Sequence, residues 1–423
     1  MYPSALRHAL RHTSEKLTVM RRLHLHASRF QRHTSPLTQF TDDELMTKEM
    51  VAKLAKQEIA PLVRKMEREG RIDNHVFRKL FGNGLMGIEI PTEYSGMRSN
   101  FLTTILTIEE IAKVDAAMAT PFDIQNMINL IIFKIGFEEQ EQKYLLKLAQ
   151  ISDFVGSFCL TEPDSGSDAF SLKTEERKDG AEYVINGTKM WMSNSDVAQV
   201  FVLFANAIPP PVTTTFLVDR DTPGLMVGKL EDKMGIEASG TCMVHFDNVR
   251  IPEDNLLGKF GHGYKYAIGF LNKGRIGIGA QMIDIAQELD ATIPHVGEKI
   301  IWERCVLLSK SATSDSSSGS GIGVRQVTRL QRREIGRGQK GRLMKKAAMA
   351  KFFASEIACR ITAKCIDFVG GVGFTTDFSQ EKYFRDAKID TIYDKQYAVI
   401  DNCKMHSQPI FLNDNKYDII FLR

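Results

Sequence analysis

Residues 158–170 read F-C-L-T-E-P-D-S-G-S-D-A-F and gather hydroxyls, carboxylates and small residues into one short stretch behind an apolar lead-in at Phe158 and Leu160. Pro163, Asp164, Ser165 and Gly166 are turn formers, which keeps the middle of the stretch out of helix and strand interiors. A loop of this kind can offer backbone N–H groups and hydroxyls to an anion or to the edge of a heterocycle, with little side-chain bulk in the way. The same letters also make a plain connection from a helical region to a set of strands. Composition alone favours the plain connection.

The elements that must hold this loop can be read on either side of it. Thr41-Asp42-Asp43-Glu44 reads as a capping box. A helix should follow, with Met46, Met50, Leu54 and Ile59 near one face and a break or kink at Pro61. Helical patterns also cover 101–114 and 138–148, and the apolar run 124–133 fits a helix. Residues 41–154 thus read as an N-terminal α-helical domain. The period then changes. Tyr183-Val184-Ile185, Asn186-Gly187 and Thr188 to Trp191 read as a hairpin, because Asn-Gly supplies the positive φ of a tight turn. With further strands at 200–204, 214–218 and 241–246, residues 155–258 read as a middle β-sheet domain. Helical spacing returns at Tyr264, Ile268, Leu271, Ile278, Met282, Ile285 and Leu289, and a last helical region starts near Leu343. Residues 259–405 read as a C-terminal α-helical domain, followed by an atypical tail at 406–423. The fold class is α+β.

The order of letters carries more than the composition does. C-L-T-E-P-D-S-G-S-D-A-F-S resembles the first signature of the acyl-CoA dehydrogenases, which are FAD-dependent flavoproteins. Residues 367–386 (D-F-V-G-G-V-G-F-T-T-D-F-S-Q-E-K-Y-F-R-D) resemble the second, with Asp377, Lys382 and Asp386 in place. Two long patterns in the right order are a specific signal. Gly261-His262-Gly263-Tyr264-Lys265 and Asn272-Lys273-Gly274-Arg275 are similar to the family as well, and the wording is nearest its short/branched-chain branch. The resemblance runs from Thr41 to about Gly297, with a short gap near Pro209, and resumes from Ala347 to Asp394.

The resemblance implies a helix–sheet–helix order with FAD held between the β domain and the C-terminal helices. It implies oxidation of a short or branched-chain acyl-CoA, in which a carboxylate takes the α-proton and the β-hydrogen leaves as hydride to the flavin. Phe158, Cys159, Leu160, Thr161, Glu162, Pro163, Asp164, Ser165, Gly166 and Ser167 would hold the flavin, with Trp191, Met192 and Ser193 and with Asp367, Phe368, Val369, Gly370 and Gly371. Ser167, Tyr264, Asn272, Lys273, Gly274 and Arg275 would line the acyl-CoA site. Plainer roles stand beside these: Trp191 as a strand aromatic in the core, Tyr264 as a core aromatic on a helix face, Arg275 as a solvated charge. Also implied are an electron-transferring flavoprotein as acceptor, a homotetramer, the mitochondrial matrix, and a place in fatty-acid and branched-chain amino-acid breakdown.

Two features depart from the pattern. The family's base stands in Tyr-Glu-Gly, and here the letters are Tyr393-Asp394-Lys395. Other branches place the carboxylate one residue before Arg275, where this chain has Gly274. Asp394 is therefore the candidate base, one methylene shorter than glutamate. A catalytically impaired flavin or acyl-CoA binder is the alternative.

The second departure is at 299–342, where the family's letters give way to Ser/Gly-rich and then Arg-rich sequence. Similar enzymes carry an amphipathic helix pair there, with an Arg and a Gln that reach the FAD of a neighbouring subunit. This chain has Lys299 at the Arg position and no matching Gln. Because the flanking matches keep the family's spacing, 299–342 and the tail from Lys395 read as a shifted reading frame or a mis-joined exon. The rival is a working basic surface. Translating the transcript in its other two frames should yield an amphipathic helix there and a Glu-Gly after Tyr393; if neither frame yields the helix, or the Glu-Gly, the idea fails.

Composition bounds the rest. The chain has 423 residues, 43% hydrophobic and 25% charged, which suits a multi-domain globular protein. Its 6 cysteines have neither CxxC spacing nor His partners at metal-ligand spacing, which reads as reduced thiols and no metal. No apolar run approaches the ~18 residues of a membrane span. Residues 1–40 hold Arg7, Arg11, Lys16, Arg21, Arg22, Arg29 and Arg32 against Glu15 alone, the pattern of a mitochondrial transit peptide, with a disordered basic arm as the alternative. Without them the remainder is slightly acidic, so no general pull toward nucleic acid is expected. The basic run at 325–346 lacks the interleaved aromatics of a base-stacking platform.

Overall fold

The computed structural model describes residues 40–169, 171–208, 212–292 and 340–393. The basic N-terminal segment, most of 299–342, Asp394, Lys395 and the tail lie outside the described residues. The expected α–β–α order is observed.

The N-terminal layer holds α1 (Asp42–Leu54), α2 (Val63–Glu69), α3 (Asn74–Gly82), α4 (Phe101–Ala112), α5 (Ala116–Ile135) and α6 (Glu138–Gln150). Polar residues start three of these helices by taking their first free N–H groups. Asp73 accepts from His75 N at 2.9 Å, Asn100 from Leu102 N at 2.8 Å, and Asp115 from Ala117 N at 3.1 Å. Between α1 and α2 the chain passes through a π turn and a 3₁₀ turn holding Pro61, the break expected there. Of the face expected here, Leu54 and Ile59 are buried and Met50 packs against the core, but Met46 is 66% exposed, and Glu44, Thr47 and Val51 also face inward. Glu44 is buried because Oε1 accepts from Asn100 Nδ2 at 3.0 Å, which ties α1 to the start of α4.

The middle layer is one sheet of β1 (Val155–Cys159), β2 (Glu175–Asp179), β3 (Glu182–Ser193), β4 (Ala198–Ala207), β5 (Thr213–Asp219), β6 (Leu225–Leu230) and β7 (Thr241–Pro252). β4 is central and almost wholly apolar and buried. One of its edges pairs with β5 and the other with β1 and β2 in succession, both parallel to it. β2, β3, β7 and β6 continue the sheet antiparallel.

The hairpin expected at Asn186-Gly187 is not there. β3 runs unbroken through both residues, and the turn lies earlier, at Gly180-Ala181, where Asp179 pairs with Glu182. Gly180 supplies the positive φ of 65°. Asn186-Gly187 instead forms a bulge against β7, with Asn186 Oδ1 accepting from Asn248 N at 2.8 Å. A side chain at Gly187 would lie 2.4 Å from Thr174 Oγ1, so glycine serves close approach here and not a turn.

The C-terminal layer holds α7 (Gly263–Thr292), α8 (Lys340–Val369) and α9 (Gln380–Ile389). α7 and α8 pack together and share one core with the N-terminal helices, in which Val51, Ile108, Ile111 and Phe122 meet Ile276, Met282, Ile285, Ile357 and Ile361. Two buried amides carry the helical layers into the sheet. Gln125 on α5 accepts from Gly156 N at 2.9 Å and donates to Leu148 O at 2.8 Å, and Asn194 Nδ2 donates to Gly156 O and Pro121 O. The start of β1, and so the loop that follows it, is fixed from the helical side. Among the described residues no helix is long and apolar enough to cross a membrane.

Candidate functional site

Beyond β1 the chain folds back on itself. Glu162 and Ser165 exchange backbone hydrogen bonds of 3.1 and 3.2 Å, and Ser165 Oγ donates to Asp168 O. The loop is braced from behind by Lys189 of β3, which is fully buried. Its ammonium donates to Leu160 O at 3.0 Å and to Glu162 Oε1 at 2.7 Å. The Glu162 carboxylate also accepts from Lys173 N at 2.6 Å and Thr174 N at 3.0 Å. Burial alone would raise the Glu162 carboxyl, but Lys189 and these donors hold it below its ordinary range. Every charge behind the loop has a partner, as a buried carboxylate and ammonium require.

Leu160, Glu162 and Ser165 are buried as the inner wall, whereas Pro163, Asp164, Gly166 and Ser167 face outward. Cys159 is buried in the sheet core, and burial pushes its thiol up to about 12, which removes it as a nucleophile. Phe158 is half-buried, 5.0 Å from the ring of Phe204. Among the described residues, the N–H groups of Gly166 and Ser167 donate to nothing in the chain and are left to whatever lies against the loop.

β3 delivers a second surface to the same place. Met190 N donates to Thr161 O at 2.9 Å, and Ser157 Oγ to Ser193 O at 2.8 Å. The β3–β7 register slips between Lys189 and Met192. The bulge puts Trp191 at φ 64°, an unusual conformation for a bulky residue, and leaves it 53% exposed while Met192 stays buried. The core role for Trp191 is therefore excluded. A large flat indole beside exposed backbone donors on a braced loop suits a planar heterocycle with polar edges, which is the fit that a flavin needs.

The other candidate stretch lies at the end of α8. α8 ends at Val369, Gly370 follows with φ 71°, and Gly371 is open around its Cα. Asp367 is exposed and pairs with Lys364 at 3.0 Å, and Phe368 and Val369 are half-buried. Among the described residues no hydrogen bond or ion pair joins 367–371 to 158–167 or 191–193.

The candidate acyl-CoA residues lie along α7. Tyr264, in its first turn, is 52% exposed, which excludes a core aromatic. Arg275 is 6% exposed, which excludes a solvated charge, and its Nη1 donates to Asn272 Oδ1 at 2.7 Å. Lys273 pairs with Glu89 at 2.9 Å and lies over the ring of Phe101, 4.5 Å from its centroid. Gly274 is half-buried between these two polar anchors. Lys189 and Glu89 were not singled out from sequence. The only signal for Lys189 was a lysine inside a strand, and its partner lies 27 residues away.

Comparison with known proteins bears on what such a site does. Family models described as the acyl-CoA dehydrogenase N-terminal, middle and C-terminal domains match residues 41–152, 157–249 and 261–394. Short/branched chain specific acyl-CoA dehydrogenase, mitochondrial, of Rattus norvegicus is 46% identical over 369 residues, covering 85% of this chain and 84% of that protein. Butyryl-CoA dehydrogenase from Megasphaera elsdenii superposes with a TM-score of 0.80 at 28% identity, over 86% of this chain and 97% of that one. A chain from the Acidaminococcus fermentans electron transferring flavoprotein structure does so with a TM-score of 0.81 at 32% identity, over 88% of this chain and 100% of that one.

Proposed function

The chain belongs to the acyl-CoA dehydrogenase family, and on that premise we propose that it dehydrogenates short or branched-chain acyl-CoA thioesters between Cα and Cβ. Its cofactor is FAD, which when bound takes up the β-hydrogen with its electron pair. The observation that carries the reading is the braced loop at 160–167 with the exposed indole of Trp191 beside it.

The chain's own residues do the rest. The loop, braced by the Lys189–Glu162 pair, and Trp191 hold and orient the flat ring. Ser167, Tyr264 and the Asn272 to Arg275 turn hold the acyl-CoA. Arg275, already tied to Asn272, meets its ligand in a fixed orientation, which avoids ordering a long side chain on binding. Asp394 takes the α-proton. The 367–371 stretch holds the FAD as well, and the chain works as a homotetramer. Electrons pass on to an electron-transferring flavoprotein. The setting is the mitochondrial matrix, in fatty-acid and branched-chain amino-acid breakdown, with residues 1–40 removed after import.

A second reading follows from Asp394-Lys395 in place of Glu-Gly, namely a chain that keeps its flavin and acyl-CoA but turns over slowly. One experiment separates the two. Purified protein should show a flavin spectrum that bleaches when a short branched acyl-CoA is added without oxygen. Bound flavin that stays oxidised supports the second reading, and a colourless protein that takes up no added FAD sinks both. In the same assay Arg275→Ala should raise the acyl-CoA KM or lower turnover with FAD content unchanged; parallel loss of FAD and melting temperature would show a structural role instead.

Trp191→Ala tests the flavin surface. Covering about half of an indole is worth roughly 2 kcal/mol, so FAD affinity should drop by about tenfold or more. The melting temperature of the FAD-free protein should fall far less than FAD affinity does, because more than half of the side chain is open to solvent. Unaltered affinity in a fluorescence titration would place the flavin elsewhere.

A further inference from the structure

We propose that Lys351 is a positioning residue, whose buried ammonium clamps the turn from Asp390 to Tyr393, the main chain that leads directly into Asp394 in the sequence. The inference rests on the reading of Asp394 as the base and adds the device that aims it. Lys351 lies on α8 and is 1% exposed. Its Nζ donates to Asp390 O and, at 2.8 Å, to Tyr393 O, and lies 5.4 Å from the centroid of the Tyr393 ring.

Those two carbonyls sit where a helix runs out of its own donors. α9 ends at Ile389, and the next N–H groups fold back, Thr391 N to Lys388 O at 3.2 Å, Ile392 N to Ile389 O at 2.8 Å and Tyr393 N to Ile389 O at 3.1 Å. Carbonyls in the last turn have no intrahelical partner and carry the negative end of the helix dipole, so an ammonium is the fitting donor. Cys359, two turns along the same face of α8, adds a weaker tie from Sγ to Ala387 O at 3.3 Å. Apolar packing does less for the turn, since Ile392 is 63% exposed.

A lysine buried in a core is a costly way to fill space, and a leucine or methionine would pack there without desolvating a charge. Its geometry supplies what those cannot: two bonds to main-chain carbonyls three residues apart, the second on the residue directly before the base. Proton abstraction depends on placement to within about 1 Å, where a misplacement can cost about 10²-fold in rate. A short aspartate has no spare reach to absorb slack in the turn.

Lys351→Met in the full-length, FAD-loaded protein is the test. Hydrogen exchange by mass spectrometry should show the 391–393 amides exchanging at least about tenfold faster, with the bodies of α8 and α9 unchanged. kcat should fall by about 10²-fold, while KM for acyl-CoA and FAD content stay within about twofold. Unchanged exchange at 391–393 overturns the clamp, and so does a loss of kcat matched by equal loss of FAD. Should the Met variant fail to fold, Lys351→Gln keeps one uncharged donor, and its exchange rate should be raised at 391–393 alone. Asp394→Asn, measured alongside, separates the two ideas: full turnover in that variant sinks the base reading and leaves the clamp to be judged by exchange alone.

Discussion

Asp394→Asn should lower turnover by roughly 10²–10⁴-fold, the usual weight of a general base, while the protein keeps its FAD and still binds acyl-CoA. Asparagine is nearly isosteric and cannot accept a proton, so the loss reports chemistry and not shape. Asp394→Glu should move the other way. The extra methylene restores about 1.5 Å of reach, and if the aspartate falls short by about 1 Å, the gain should approach 10²-fold. Steady-state kcat on a short branched acyl-CoA, normalised to flavin absorbance, reads both. Natural turnover in the Asn variant means another group takes the proton. A Glu variant slower than the natural chain removes the reach argument and points to Lys395 as the obstacle, because a side chain there replaces the freedom of a glycine.

The loop at 158–167 was legible because turn chemistry is local: Pro, Asp, Ser and Gly announce a turn whatever surrounds them. What braces it was not, because Lys189 and Glu162 meet only once the sheet has formed. The same division recurs through the fold. β4 declared itself by an unbroken apolar run, whereas β2 (Glu-Glu-Arg-Lys-Asp) has only Glu176 buried and is a strand because the Gly180-Ala181 turn folds it onto β3. Asn186-Gly187 gave a genuine backbone signal, a place where glycine is required, but the requirement was close approach to Thr174. α5 was visible only from 124 onward because Pro121 lies inside it, although Asp115 caps the helix more than two turns earlier. Exposure at Trp191 and burial at Arg275 reverse what residue type alone suggests. In both cases the odd placement falls on the candidate site, where local rules are most often overridden.

Lys382→Met should lower the melting temperature by roughly 10 °C at neutral pH, and the loss should shrink as the pH falls. Lys382, Asp115 and Asp386 are all at most 4% exposed. The ammonium lies 2.8 Å from Asp115 Oδ1 and 2.5 Å from Asp386 Oδ2. Asp115 also starts α5, and Asp386 Oδ1 accepts from Ile236 N at 2.6 Å, so one cation joins α9 to the N-terminal helices and to the loop between β6 and β7. Burial pulls the lysine down, but the two carboxylates more than offset it and its pKa is raised; burial, with Asp386 close by, raises Asp115. Removing the ammonium leaves two carboxylates buried beside each other, a defect of about 3–5 kcal/mol, which in a chain of this size shifts melting by a few degrees per kcal/mol. The Asp115 carboxyl, already raised beside the ammonium, then lies further above its unfolded value, so the folded state binds more protons than the unfolded one and stability rises as pH falls. Melting curves of the natural chain and the variant at about pH 8 and about pH 5.5 should therefore converge toward acid. Converting Asp115 and Asp386 to Asn in the Met background should recover most of the loss, since asparagine keeps the cap and the acceptor for Ile236 while removing the charge. A gap that is constant with pH, or that the neutral triple variant leaves in place, would show that Lys382 matters for its packing and not for its charge.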